Sequence, residues 1–251
     1  MSRRFSFVPR MLCAALLGFT ACMASAQAPA ENPYLRNAAR AEPVRHVDIY
    51  VQPYYSAATR PQDAPQVAVG RSFDALLASS RRADIERVAD MVRAEPGLVT
   101  PMTLMVLAIR SYDVGLRDEA VFWYYASRDR MLSATQVMDF SQPALMNVRQ
   151  AMHSFFTLAG PVINGYAFCD FERQIAQRQR AVQWVAQNPY QAALLPQVPA
   201  LPGDRQANLD AGLRLVREDA IKEAAALRDP QRRAEIRTAR AQNQADARYC
   251  W

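Results

Sequence analysis

The residue types that most often bind metals are few in this chain and are spread along it. The sequence has two histidines, His46 and His153, and four cysteines, two of which fall in a leader-like segment at the start. The other two, Cys169 and Cys250, are 81 positions apart (250 − 169). Zinc sites instead place their ligands in pairs only a few positions apart, as in H-E-x-x-H, and that pattern does not occur here. We therefore expect no metal site.

The sequence gives little support for nucleophilic catalysis either. Cys169 and Asp170 could combine with His153 into a thiol–imidazole pair, but a disulfide or a buried thiol is the commoner fate of a cysteine in an exported protein. The chain has no G-x-S-x-G elbow and no phosphate-binding loop, and its eight glycines are few for one. The acidic pairs at 118–119 and 218–219 fall on predicted helix surfaces, where capping or solvation explains them. The sequence therefore predicts no catalytic residue and no cofactor.

The two later cysteines have a structural interpretation. An oxidising compartment permits disulfides, and two cysteines allow one intramolecular pairing. A bridge between Cys169 and Cys250 would tie the C-terminal tail to a helix predicted to begin near Phe168. The alternative is a buried Cys169 with a free Cys250, and the sequence leaves both open.

Residues 1–26 have the composition of a secretory signal. Three arginines give the segment a positive start, and residues 11–21 are apolar but too short to remain as a membrane-spanning helix. Residues 24–26, Ala-Ser-Ala, fit the small-x-small cleavage rule. We expect cleavage there and a soluble, exported protein, most simply periplasmic.

A lipoprotein is the alternative to soluble export. Residues 19–22 resemble a lipoprotein box that ends at Cys22, although that box prefers leucine where this chain has Phe19. Acylation of Cys22 would anchor the protein to a membrane by lipid. No later stretch is long and apolar enough to predict a transmembrane segment.

The charge distribution does not favour nucleic acid as a partner. The chain has 30 basic and 24 acidic residues, which gives a formal net charge of +6. The three leader arginines carry +3, so the remainder carries 6 − 3 = +3, with both signs interspersed. Nucleic-acid-binding domains concentrate basic residues on one face. A mixed-charge solvated surface is the simpler expectation.

Composition and periodicity predict a mainly α-helical protein. Glycine is scarce, while alanine, leucine, arginine and glutamine are abundant. After a flexible arm at 27–43, residues 44–203 are expected to form a compact multi-helix domain. This domain begins with a small two-stranded β ribbon, because residues 47–51 alternate and residues 66–69 could pair with them. Residues 204–251 are predicted to form a C-terminal helix and a long helical tail.

Residues 104–131 are the predicted packing centre, a helical hairpin. An apolar run at 104–109 leads to a turn at 112–115 and to a return helix. The four aromatic residues at 122–125 cover nearly the whole circumference of that return helix. We therefore expect neighbouring helices to enclose it.

This hairpin resembles a single unit of the tetratricopeptide repeat and its bacterial short-repeat relatives. The matching residues are Tyr112, Gly115, Glu119, Ala120, Tyr124 and Ala126. The resemblance implies a protein-binding scaffold in which small residues let two helices approach closely. No second copy recurs at a fixed period, whereas a repeat array needs about three or more units. Ordinary packing of a compact helical domain is the alternative.

Two tyrosine-containing clusters are candidate binding surfaces. Tyr54 and Tyr55 follow the first predicted strand, and Asn164 and Tyr166 fall on a predicted connector at 161–166 that follows a helix ended by proline. Tyrosine is enriched at protein interfaces. Packing of the ribbon against the helices is the simpler explanation of both clusters.

The function expected from the sequence is therefore that of an exported, non-enzymatic helical scaffold of the cell envelope that binds another protein. An assembly factor or an immunity protein would fit. The alternative is an envelope hydrolase with an unrecognised site. A deep pocket that holds His153, Cys169 and a carboxylate would favour the enzyme.

Overall fold

Residues 73–251 are the part of the chain that the computed structural model describes. The predicted leader, arm and β ribbon, together with Tyr54 and Tyr55, lie outside the described residues. Within residues 73–251, no helix combines the length and the apolar character that a membrane crossing requires.

The described residues form a mainly α-helical fold, which confirms the predicted class for this part of the chain. The α-helices are α1 (Asp74–Leu77), α2 (Arg82–Ala94), α3 (Pro101–Asp113), α4 (Arg117–Ala134), α5 (Pro143–Ala167), α6 (Phe171–Gln187), α7 (Arg205–Arg228), α8 (Pro230–Gln242) and α9 (Ala245–Tyr249). A short 3-10 turn spans Gln191–Leu194. An antiparallel bridge between Met138 and Ala200 ties the proline-rich segment before α7 to the residues that follow α4.

Helices α3 and α4 form the predicted hairpin at the centre of the core. The Thr100 hydroxyl accepts a hydrogen bond from the Thr103 N–H, and Pro101 occupies the first turn of α3, where its missing N–H costs nothing. Gly115 has a φ of 83° in the turn before α4, a conformation that glycine adopts without strain. Trp123 is fully buried, because α3, α5, α6 and α7 all pack against α4.

Helix α5 continues through a proline, so the predicted helix end and the connector at 161–166 are wrong. The helix runs to Ala167 with Pro161 inside it. Pro161 lies on the exposed face, where water can bond the backbone carbonyl that loses its N–H partner. On the opposite face Ala159, Ile163 and Ala167 are buried. Burial of this stripe outweighs the helix-breaking tendency of the proline.

Helices α4 and α7 approach closely at Gly212. A Cβ atom on Gly212 would lie 2.8 Å from the Cα atom and from the backbone oxygen of Ser133. Gly212→Ala must therefore push α7 away, and it is expected to lower the free energy of unfolding by about 1–3 kcal/mol, even though alanine favours helix formation. Urea denaturation measures the difference. An unchanged or higher stability would show that α7 can shift without loss.

Candidate functional site

An open groove of about 550 Å³ lies between helices α6 and α7. On its α6 wall Gln179, Gln183 and Gln187 are spaced by four residues and therefore share one helix face. The floor is apolar and is formed by Val182, Ala186, Ala220 and Ala224. The two alanines of α7 are small, which leaves the space between the helices open. The groove thus combines an apolar floor with a wall of neutral amides.

The α7 wall exposes apolar and cationic side chains together. Ile221 is 69% exposed, more than any other large hydrophobic residue in the described part of the chain. Arg217 and Arg228 line the groove on either side of it along the helix. Neither arginine has an ion-pair or hydrogen-bond partner for its side chain among residues 73–251. Exposed apolar surface beside such cations is typical of a binding surface.

A buried ion pair joins α6 to α4, and a third partner on α7 connects it to both helices that flank the groove. The side chains of Arg178 on α6 and Asp129 on α4 are 1% and 0% exposed and are joined by a hydrogen bond from Arg178 Nη1 to Asp129 Oδ2. Arg178 Nε also donates to Glu223 Oε2 on α7 at 3.0 Å. Arg178 and Glu223 directly precede the groove residues Gln179 and Ala224 in the sequence. The ion pair and its third partner therefore fix the spacing of the two groove walls.

Neutral polar groups extend this network to α5. The Gln174 amide donates to Tyr125 Oη and to Glu223 Oε1, both at 3.0 Å. Tyr125 Oη in turn donates to Asn164 Oδ1 at 3.1 Å. Burial raises the pKa of the Tyr125 phenol, so it stays protonated and able to donate. Asn164, which the sequence predicts as a binding residue, thus accepts a hydrogen bond from Tyr125 within the helical body.

Burial also raises the pKa of the Asp129 carboxyl to about 6, although the guanidinium of Arg178 opposes this shift. Its Oδ1 atom has no hydrogen-bond partner among the described residues. The folded protein therefore binds a proton at this position more tightly than the unfolded chain does. Binding of this proton stabilises the folded state. The stabilisation is fully present below about pH 4, near the pKa of the unfolded chain, and is lost as the pH rises through about 6.

Asp129→Asn is expected to remove this pH dependence, because the amide mimics the neutral acid. The free energy of unfolding of the parent should fall, relative to that of the variant, by up to about 3 kcal/mol between pH 4 and pH 7. Urea denaturation of both proteins across that range gives the difference and cancels the titration of the remaining carboxyl groups. A difference that is constant with pH would mean that Arg178 keeps Asp129 ionised throughout.

Tyr166, the other predicted binding residue on α5, lies at a separate surface hollow of about 440 Å³. Its hydroxyl donates to Asp118 Oδ1 at 2.9 Å and accepts from Arg173 Nη1 at 2.9 Å. Partial burial and the Asp118 carboxylate raise the pKa of its phenol. The guanidinium of Arg117 lies 3.5 Å from the ring centroid of Trp251 at the same hollow. The structure therefore places Asn164 and Tyr166 in different environments.

Cys169 and Cys250 form a disulfide, with their Cα atoms 5.6 Å apart, which is one of the two alternatives that the sequence left open. The bridge leaves no thiol at Cys169, and His153 is exposed on α5. The thiol–imidazole pair considered from the sequence is therefore not formed. Residues 73–251 contain no group of three or more histidine, cysteine, aspartate or glutamate side chains placed to hold a metal ion.

Sequence reasoning identified neither the groove nor the buried ion pair. One signal was available, because Arg178 falls on the apolar face of α6, three residues after Ile175 and seven before Val185, both of which are buried. A charged residue at such a position must either be paired or reach solvent. Which partner it finds depends on how α4 and α7 pack, and a single sequence does not specify this.

Comparisons with known proteins identify one informative relative. No family model matches the chain, and no solved structure matches it significantly. A protein of Haemophilus influenzae described as an uncharacterized protein is 33% identical over 210 residues, which cover 84% of this chain and 81% of the relative. Identity at this level over most of both chains shows common ancestry and a shared fold. The chain therefore belongs to the family of this Haemophilus influenzae protein.

Proposed function

We propose that this chain is an exported, non-enzymatic helical scaffold of the cell envelope and that it binds another protein through the α6–α7 groove. The observation that carries the proposal is the composition of that groove. An apolar floor, an exposed Ile221 and two arginines without ion-pair partners among the described residues form a surface that is costly to leave in water. A bound segment would cover the apolar part and pair with the charges.

Two sequence features support this function. The α3–α4 hairpin resembles a unit of the tetratricopeptide repeat, a fold that presents helix surfaces to protein partners. Residues 1–26 have the features of a secretory signal, with Cys22 as a possible lipid-anchored residue. Mass spectrometry of the native protein distinguishes a chain that begins at Gln27 from one that begins at an acylated Cys22.

Photocrosslinking tests the proposed binding surface. Benzoylphenylalanine placed at Ile221 in the producing cell is expected to give a discrete adduct with a second protein. The same probe at Leu158, which is 43% exposed on α5, is the control and should give none. The identity of the adduct would distinguish an assembly factor from an immunity protein. Adducts of equal intensity at both positions, or none at either, would exclude the groove as the binding surface.

A second pair of variants links the adduct to the groove itself. Gln183→Trp fills the groove from the α6 wall and is expected to abolish the adduct at position 221. Gln150→Trp changes an exposed glutamine of α5 and should leave the adduct unchanged. If the adduct survives Gln183→Trp, the partner binds elsewhere on α7.

A further inference from the structure

We propose that the occupant of the α6–α7 groove is an acidic amphipathic helix of another protein. This inference rests on the proposed function and specifies the chemistry of the partner. The groove is open to solvent and is flanked by two helices, a geometry suited to the recognition of a helix laid into a groove. Its apolar floor would take the apolar face of the incoming helix, with Ile221 packing along one side.

The charges of the groove determine the sign of the charge that a partner must carry. Arg217 and Arg228 both line it and have no acidic partner in the described part of the chain. Some other surface arginines are paired within the protein; Arg93 and Arg180, for example, both bond to Glu119. The cationic pair at the groove is therefore available to carboxylates of a bound segment.

The spacing of the two arginines sets the length of the bound helix. They are eleven positions apart on one helix (228 − 217), which corresponds to about 16 Å or three helical turns. A partner helix that lies along α7 would place carboxylates about eleven residues apart opposite them. Between these carboxylates, side chains at helical spacing would cover the alanine floor. The amides of Gln179, Gln183 and Gln187 could bond polar groups on its other edge.

Charge and shape disfavour the other possible occupants. Residues 27–72 of this chain contain five basic and four acidic residues, a net charge of +1 (5 − 4), so this segment does not complement two arginines. A second copy would bring the same cationic face of α7 to the groove. An anionic membrane surface is flat, whereas the apolar floor lies between two helices and is recessed below the rim.

The buried network makes the groove rigid before the partner binds. Arg178 on α6 bonds to Glu223 on α7 and to Asp129 on α4, so the groove walls are held at fixed separation without a ligand. A preformed groove avoids the entropic penalty of ordering its own walls on binding. Binding is therefore expected to depend on the charge of the partner more than on a rearrangement of this protein.

The test uses three synthetic helical peptides of about 18 residues, each with the same apolar face. One has glutamates eleven positions apart, the second has glutamines there, and the third has lysines. Fluorescence anisotropy with the full mature chain is expected to show that the glutamate peptide binds about tenfold or more tightly than the glutamine peptide. Its affinity should fall as ionic strength rises. Equal affinities for the three peptides would overturn the proposal.

Charge-reversal variants locate the effect. The double variant Arg217→Glu, Arg228→Glu should bind the glutamate peptide about tenfold or more weakly and should bind the lysine peptide more tightly than the parent does. Arg214→Glu with Lys222→Glu is the matched control, because both residues are exposed cations of α7 that do not line the groove. Circular dichroism should show the same helix content for all variants. An equal loss of affinity in the control pair would overturn the proposal by showing a non-specific charge effect.

The outcomes separate this inference from the proposed function. If no peptide binds but the probe at Ile221 still crosslinks a protein, the partner chemistry is wrong and the scaffold function stands. If no peptide binds and the chain instead binds vesicles with anionic lipid or dimerises through the groove, the acidic-helix proposal fails in favour of that occupant. If the glutamate peptide binds selectively and Ile221 gives no adduct, the groove chemistry stands and the cellular function does not.

Discussion

An Arg178→Leu variant is expected to unfold with a free energy about 3–5 kcal/mol lower than that of the parent protein. The substitution removes a guanidinium that bonds to Asp129 and Glu223 at the junction of α4, α6 and α7. Asp129 is fully buried, so its carboxylate would be left without a partner in a site that water does not reach. Removing one member of a buried pair is far more costly than replacing both with apolar residues.

The loss of stability in Arg178→Leu should increase as the pH rises. Arg178 is the largest influence that lowers the pKa of Asp129, so its removal raises that pKa above about 6. The variant can then relieve the stranded charge by binding a proton. Its deficit relative to the parent is therefore expected to be smaller at pH 5 than at pH 8. Urea denaturation at the two pH values measures both deficits.

Two further variants make the interpretation specific. Arg180→Leu changes an arginine two residues further along α6 whose side chain is 44% exposed and pairs with Glu119; a loss below about 1 kcal/mol is expected there. Adding Asp129→Leu to Arg178→Leu removes both buried charges and should recover much of the stability, since Glu223 still has Arg128 within 3.5 Å. A deficit for Arg178→Leu as small as that for Arg180→Leu would show that the network does not hold the helices together.

The parts of the fold that could be predicted from the sequence are those that local residues determine. The α3–α4 hairpin follows from a capping threonine, a proline in the first turn and a glycine in the connecting turn, together with a continuous apolar run. Enclosure of α4 follows from its aromatic residues at 122–125, since no face of such a helix suits water. The disulfide required only that two cysteines be brought together, and the chain offers one such pair outside the leader.

The remaining features depend on contacts between distant segments. Pro161 has a strong local tendency to end a helix, and only the burial of Ile163 and Ala167 against other helices reverses it. Arg178 could be recognised as a charged residue on an apolar helix face, but its partners Glu223 and Asp129 lie 45 and 49 positions away in the sequence, on other helices. The groove requires knowledge of which faces of α6 and α7 remain apart, and a pattern within either helix does not contain that information.

The Cys169–Cys250 bridge is expected to hold the C-terminal tail in place. Helix α8 has no buried residue, and α9 buries only Ala245 and Tyr249. The ring of Tyr249 packs on Gly165, where a Cβ atom would come within 2.5 Å of it. The other contacts of this segment with the helical body are mainly polar, such as those of Arg233 with Glu172 and of Arg240 with the Gly165 carbonyl. Because so little of the segment is buried, conformational entropy favours its release once the covalent link is lost.

A Cys169→Ala, Cys250→Ala double variant should therefore show two effects of different size. Amide protection in α8 and α9 is expected to fall to that of a largely unfolded segment, while protection in α3 and α4 persists. The bridge spans a sequence separation of 81, for which the chain-entropy estimate is about 4.5 kcal/mol of global stabilisation, and release of the tail should reduce the observed loss to about 2–4 kcal/mol. Hydrogen exchange and urea denaturation measure the two effects separately.

Gly165→Ala separates the covalent link from the packing that accompanies it. The added methyl group displaces the Tyr249 ring while the disulfide stays closed, so protection should be lost in α9 but only partly in α8, where Arg233 still bonds to Glu172 of α6. If the double cysteine variant keeps full protection in α9, packing of Tyr249 alone holds the tail and the bridge is redundant. If both variants also lose protection throughout α3 and α4, the tail and the core unfold as one unit. The bridge is anchored where α5 meets α6, so such a result would mean that the whole helical body depends on that junction.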